Sequence, residues 1–141
     1  MSSLDIVKVK TGSPFEAKAS YSRAVCVGDL ILVSNTAGLD YVTRVMAPDA
    51  ASQARQCLAT ISAAMEAVGS SLRDVVQVRV FVPDPQDWDA VIVVLGEAFR
   101  GIDPASTFTA SPLAGAYKVE IEATGWRGAG AASVREISLV L

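Results

Sequence analysis

The chain has 141 residues, 51% of them apolar and 19% charged. That is enough to bury one core without disulfide staples, and it excludes a disordered or collagen-like chain. A net charge of -3, with no run of Lys or Arg, lacks the footprint of nucleic-acid binding. The absence of any histidine excludes His-based triads, His metal ligands and an imidazole pH switch.

Met1 to Lys10 has neither a basic leader nor a long apolar stretch, and the apolar run Val91 to Leu95 is too short to span a bilayer. The expectation is a cytoplasmic protein with no membrane and no nucleic-acid partner. Cys26 and Cys57 read as small buried hydrophobes in a reducing compartment rather than as catalytic thiols.

In chain order, Leu4 to Val9 alternates as a strand. Ala24 to Val27 and Leu30 to Ser34 flank Gly28-Asp29 and predict a hairpin with a two-residue turn. From Asp49, the residues Ala54, Leu58, Ile61, Met65 and Val68 recur at helical spacing, and Gly69 ends the pattern. Val75 to Val82 predicts a strand with Val76, Val78, Val80 and Val82 on one face and Gln77, Arg79 and Phe81 on the other.

Asp84-Pro85-Gln86-Asp87 opens a second helix with Trp88, Val91, Leu95 and Phe99 on its core face, closed by Gly101. Thr107 to Leu113 predicts a short extended segment. Tyr117 to Thr124 alternates again, with Val119, Ile121 and Ala123 opposite Lys118, Glu120 and Glu122. A glycine-rich connector leads to Ile137–Leu141, which could add an edge strand or dock on a neighbour. The whole, residues 1–141, reads as one α+β domain: a mixed sheet of about six strands with two helices on one face. The other sheet face, with Gln77, Arg79, Phe81, Lys118, Glu120 and Glu122, has the mixed character of an oligomer interface, where small-molecule pockets often form.

Several segments together resemble the Rid family, the reactive intermediate deaminases also called the YjgF family. They are Tyr21-Ser22-Arg23-Ala24, Gly28 to Ser34, Gly38-Leu39-Asp40, the helix from Gln53 to Gly69 with Ser71 to Val76 after it, Asp87-Trp88, Phe99, Pro104-Ala105 and Val119 to Ala123. The resemblance implies a chorismate-mutase-like fold, a homotrimer with three intersubunit clefts, and hydrolysis of enamines or imines to a keto compound and ammonia with no metal and no cofactor.

On that resemblance Glu120 is the catalytic carboxylate that positions water, and Tyr21 is a cleft wall. Where the family has an arginine after Pro-Ala to clamp a substrate carboxylate, this chain has Ser106, followed by Thr107. Asn35 and Thr36 replace the Gly-Gln of the family's Ser-Gly-Gln segment, and Ile92 replaces an Asn of the second helix. Arg23 stands where the family has an uncharged residue and is a candidate for a relocated anion clamp. Substrate-binding candidates are therefore Tyr21, Arg23, Asn35, Thr36, Ser106 and Thr107. The bland alternatives are a surface Arg23, backbone-capping Asn35 and Thr36, and a Glu120 paired with Lys118 or Arg79. The function implied is a deaminase or hydrolase of small C–N substrates with a cleft altered from the 2-imino acid type. The alternative is a non-catalytic trimer that binds a small metabolite or acts in regulation.

Overall fold

The computed structural model describes residues 3–141. Six strands form one mixed sheet in the order β1-β2-β3-β6-β4-β5: β1 Ile6–Val9, β2 Ala24–Val27, β3 Leu30–Ala37, β4 Val75–Phe81, β5 Ala105–Thr109 and β6 Glu120–Trp126. All neighbours are antiparallel except β4 and β5, which run parallel through the α-helical crossover between them. Three α-helices accompany the sheet: α1 Pro14–Ala19, α2 Ala50–Glu66 and α3 Trp88–Phe99.

Helix α2 forms where the periodicity predicts it. Asp49 caps it by accepting from the Ser52 amide at 2.8 Å, and the stripe Ala54, Leu58, Ile61, Met65 and Val68 is buried. The core lies between α2, α3 and one face of the sheet, where Ala24, Cys26, Ile31, Val33, Val78, Val80, Ile121 and Ala123 point inward. The β2–β3 hairpin turns at Gly28, whose φ of 59° suits a glycine. Arg127 locks that turn by donating to the Gly28 carbonyl at 3.0 Å and to Asp29 Oδ1 at 3.1 Å.

Five expectations need correction. A third helix, the short α1, is present. Its capping box, Ser13 with Glu16, and Pro14 at its first turn stand plainly in the sequence, but six residues are too few to show a period. Val76 is 44% exposed and Val75 takes its place in the core, because a register shift between Val75 and Gln77 flips the parity of the strand. Strand β5 starts two residues early and ends at Thr109, and β6 begins at Glu120 rather than Tyr117. Strand β3 runs to Ala37, three residues beyond the predicted end, with an irregularity between Val33 and Thr36. Ile137–Leu141 pair with no strand of the protomer and lie exposed. No helix among the described residues is long and apolar enough to cross a membrane.

One buried side chain ties the loops to the helix layer. Gln53, 1% exposed on α2, donates to the Ala47 carbonyl at 2.9 Å and accepts from the Lys118 amide at 2.9 Å. It thereby fixes the segment that leads into β6 two residues before Glu120. Gly38 packs directly on it: a Cβ there would lie 2.5 Å from Gln53 Cβ and 2.6 Å from its Cα. Backbone on one side of that contact cannot rotate away. Gly38→Ala is therefore expected to destabilise the fold by about 1 to 3 kcal/mol, read by urea denaturation. Gln53→Leu strands a buried amide and carbonyls, and its expected cost is about 2 to 5 kcal/mol in the same assay. A midpoint unchanged in either variant contradicts this packing.

Candidate functional site

At one end of the sheet, where β3 and β6 meet, a cleft of about 280 Å³ opens. Its wall comes from four separate stretches of chain. The α1 region supplies Phe15, the approach to β2 supplies Tyr21 and Arg23, β3 and the loop after it supply Asn35 and Tyr41, and the approach to β6 supplies Tyr117 and Glu120. The β3 irregularity decides the orientation of the third stretch. It lets Thr36 turn fully inward while its neighbour Asn35 lines the cleft.

Arg23 is 1% exposed and lies under the cleft. Its Nη1 donates to the Asn35 carbonyl at 2.9 Å and to Thr36 Oγ1 at 3.2 Å. Its Nη2 faces the Tyr21 hydroxyl at a long 3.4 Å, and Nε has no partner. The rings of Tyr41 and Tyr21 flank the guanidinium, with centroids 5.1 and 5.6 Å from Cζ. Behind it, the buried Glu16 accepts from the Ser13 amide at 3.1 Å and from both the amide and the hydroxyl of Thr11. Burial opposes the charge on Glu16, but those hydrogen bonds and the field of Arg23 hold its carboxyl below the usual range.

Glu120 is half-buried at the cleft edge. Asn35 Nδ2 donates to its Oε2 at 2.6 Å, whereas the Asn35 Oδ1 is buried with no partner. Burial raises the Glu120 carboxyl above the ordinary glutamate value, an effect partly offset by Arg23. The competing pairings are taken elsewhere: Arg79 meets Glu122 at 3.3 Å, and Lys118 meets Asp87 at 3.7 Å. The choice between the two β6 carboxylates is thus made by partners. Glu122 is paired with Arg79 on the open sheet face, and Glu120 faces the cleft.

The structure brings together Tyr21, Arg23, Asn35 and Glu120, with Thr36 beneath them as an acceptor for Arg23. It does not bring Ser106 and Thr107 to them. Both lie on the edge strand β5, paired with Val78 and Arg79, and strand parity turns them to opposite faces. Ser106 borders a separate apolar groove beside α3 with Ile92 and Leu95. Asn35 and Thr36 lie in a strand rather than near a turn, and Arg23 is no surface arginine. Sequence reasoning misses Phe15, Tyr41 and Tyr117. Cys57 lies buried on the helix side near Glu120, where burial pushes its thiol far up and keeps it protonated. Among the described residues no three Cys, Asp or Glu side chains stand close enough to hold a metal ion.

Comparison with known proteins places this cleft in a family. A family model described as Endoribonuclease L-PSP matches residues 11–126. The chain is 34% identical over 112 residues to a 2-iminobutanoate/2-iminopropanoate deaminase of Salmonella typhimurium, covering 76% of this chain and 87% of that one. Its fold is similar to the crystal structure of a YjgF/YER057c/UK114 family member from Mycobacterium tuberculosis, with a TM-score of 0.79, 35% identity, and coverage of 86% and 99%. It is also similar to E. coli TdcF, solved with bound serine, with a TM-score of 0.72, 26% identity, and coverage of 76% and 87%. The chain belongs to the endoribonuclease L-PSP family, which includes the YjgF or Rid proteins.

Proposed function

We propose that this protein hydrolyses small imines or enamines to a carbonyl compound and ammonia, with Glu120 as the group that positions and deprotonates water. The observation that carries this reading is the state of Glu120: half-buried, hydrogen-bonded by Asn35, free of any ion pair and raised above the ordinary range by burial. A carboxylate so placed accepts a proton from water as oxygen bonds to the imine carbon, then returns it to nitrogen. Collapse of the resulting aminoalcohol expels ammonia, and no group is oxidised or reduced. An enamine reaches the same point once its carbon is protonated. Relatives named as imine deaminases support the reaction class. A ribonuclease reading finds less support, because a net charge of -3 offers no field for a phosphate backbone.

The reading extends to assembly. The open sheet face, with Leu32 45% exposed beside Gln77 and the Arg79–Glu122 pair, suits burial between copies. A homotrimer would place the edge strand β5 of one copy, with Ser106 and Thr107, at the mouth of the next copy's cleft. Light scattering is expected to give about three times 14.7 kDa; a stable monomer at high concentration contradicts the shared cleft.

Glu120→Gln keeps the shape and still accepts from Asn35 but cannot take a proton. Its expected effect on imine hydrolysis is a loss of about 10²- to 10⁴-fold in kcat. Because the folded carboxyl is raised, ionising it costs stability as pH rises through its folded value, so the variant should melt no lower than wild type at neutral pH. The groups around Glu120 are Arg23, Tyr21, Tyr41 and Tyr117 in the cleft and Cys57 behind it. In wild type the acid limb of kcat/KM should have its midpoint above 4.5, the ordinary glutamate value. Full activity in Glu120→Gln, or an acid limb at or below 4.5, overturns the role given to this residue.

A further inference from the structure

We infer that Arg23 is the specificity-determining residue of this cleft, using its Nε/Nη2 edge to hold the carboxylate of a dipolar substrate, a 2-imino acid. The inference rests on the deaminase reading above and names the substrate class for it.

The argument starts from the five N–H groups of a guanidinium. Nη1 uses both of its hydrogens on the Asn35 carbonyl and Thr36 Oγ1, so that end of the fork is fixed to the protein. The remaining edge, Nε with the Nη2 hydrogen beside it, is the side-on pair that binds a carboxylate with two parallel hydrogen bonds. Here that edge has only the long contact from Nη2 to the Tyr21 hydroxyl, and its Nε donor is buried with nothing to accept from it. A buried donor left unpaired on a charged group is costly, and a ligand carboxylate satisfies it.

The second orphan polar atom points to the same ligand. Asn35 Oδ1 is a buried acceptor without a donor, and it belongs to the residue that stands between the two charges: its carbonyl takes Arg23 Nη1 and its Nδ2 donates to Glu120. Arg23 and Glu120 form no ion pair, so a cation and a carboxylate face one cleft of about 280 Å³ with Asn35 holding them apart. A protonated 2-imino acid has the matching arrangement in its own skeleton. Its carboxylate fits the donor edge of Arg23, and its iminium N–H groups fit Asn35 Oδ1 and the side of Glu120. A neutral imine would leave the Arg23 edge unsatisfied. The Tyr21 hydroxyl, displaced from its 3.4 Å contact, is free to donate to the same carboxylate.

The test uses the full-length protein labelled with ¹⁵N-arginine, with 2-oxobutanoate and its neutral amide as probes of the product-bound cleft. Saturating 2-oxobutanoate is expected to shift one arginine Nε–H resonance, lost in Arg23→Lys, while the amide leaves it in place. Calorimetry should show the acid binding at least 30-fold more tightly than the amide in wild type, and that preference should fall toward unity in Arg23→Lys. An Nε–H unmoved by the bound acid, equal affinity for acid and amide, or no binding of the acid at all would overturn the inference. If Arg23→Lys does not fold, the wild-type resonance and the acid–amide ratio still decide. Loss of turnover in Glu120→Gln with an unmoved Nε–H refutes the carboxylate site and leaves the hydrolase reading standing. A shifted Nε–H with full turnover in Glu120→Gln does the reverse.

Discussion

A guanidinium removed from water is the constraint around which this cleft is arranged. Taking such a charge into the protein costs several kcal/mol unless hydrogen bonds and opposite charge compensate it, of the order of about half a small domain's stability. Around Arg23 the compensation comes from every direction: a carbonyl and a hydroxyl from the β3 irregularity, two tyrosine rings, and the fields of Glu16 and Glu120. Each of these groups lies on a different piece of chain. The arginine therefore organises the cleft as much as it serves it, fixing where β3 breaks its register and where the loop carrying Tyr41 comes to rest.

The same arrangement separates charge without cancelling it. Direct contact between Arg23 and Glu120 would form a buried salt bridge, satisfied and chemically inert. Asn35 prevents this by bonding to each with a different part of itself, its carbonyl and its Nδ2. Glu120 is left desolvated but ionisable, and its proton affinity lies closer to that of the water and nitrogen it must serve. Scaffold and chemistry meet again at Gln53, whose hydrogen bonds hold the Ala47 and Lys118 segments and with them the strand that presents Glu120.

How much of this the sequence carries follows from the reach of each signal. Helix α2 is legible because seventeen residues repeat the apolar spacing several times, and β6 because Val119, Ile121 and Ala123 alternate with charge. The carboxylate of the site is legible too, since its strand fixes its face. The burial of Arg23 is not, because a lone arginine before a strand has no local pattern, and its partners lie 12 and 13 positions away in a strand whose register breaks. Tyr41 and Tyr117 sit in loops without periodicity, so nothing in the chain marks them as cleft walls. Ser106 and Thr107 fail for a simpler reason. Adjacent residues of one strand point to opposite faces, and their strand pairs with β4 at the sheet edge rather than with β3 or β6 at the cleft.

The most direct test of the account is the rate of ammonia release from 2-iminobutanoate formed in situ by a threonine dehydratase, followed with increasing amounts of this protein. The account predicts a rate that rises in proportion to protein at catalytic concentrations, above spontaneous hydrolysis, with 2-oxobutanoate as the product. Ammonia release at the spontaneous rate whatever the amount of folded protein would contradict it.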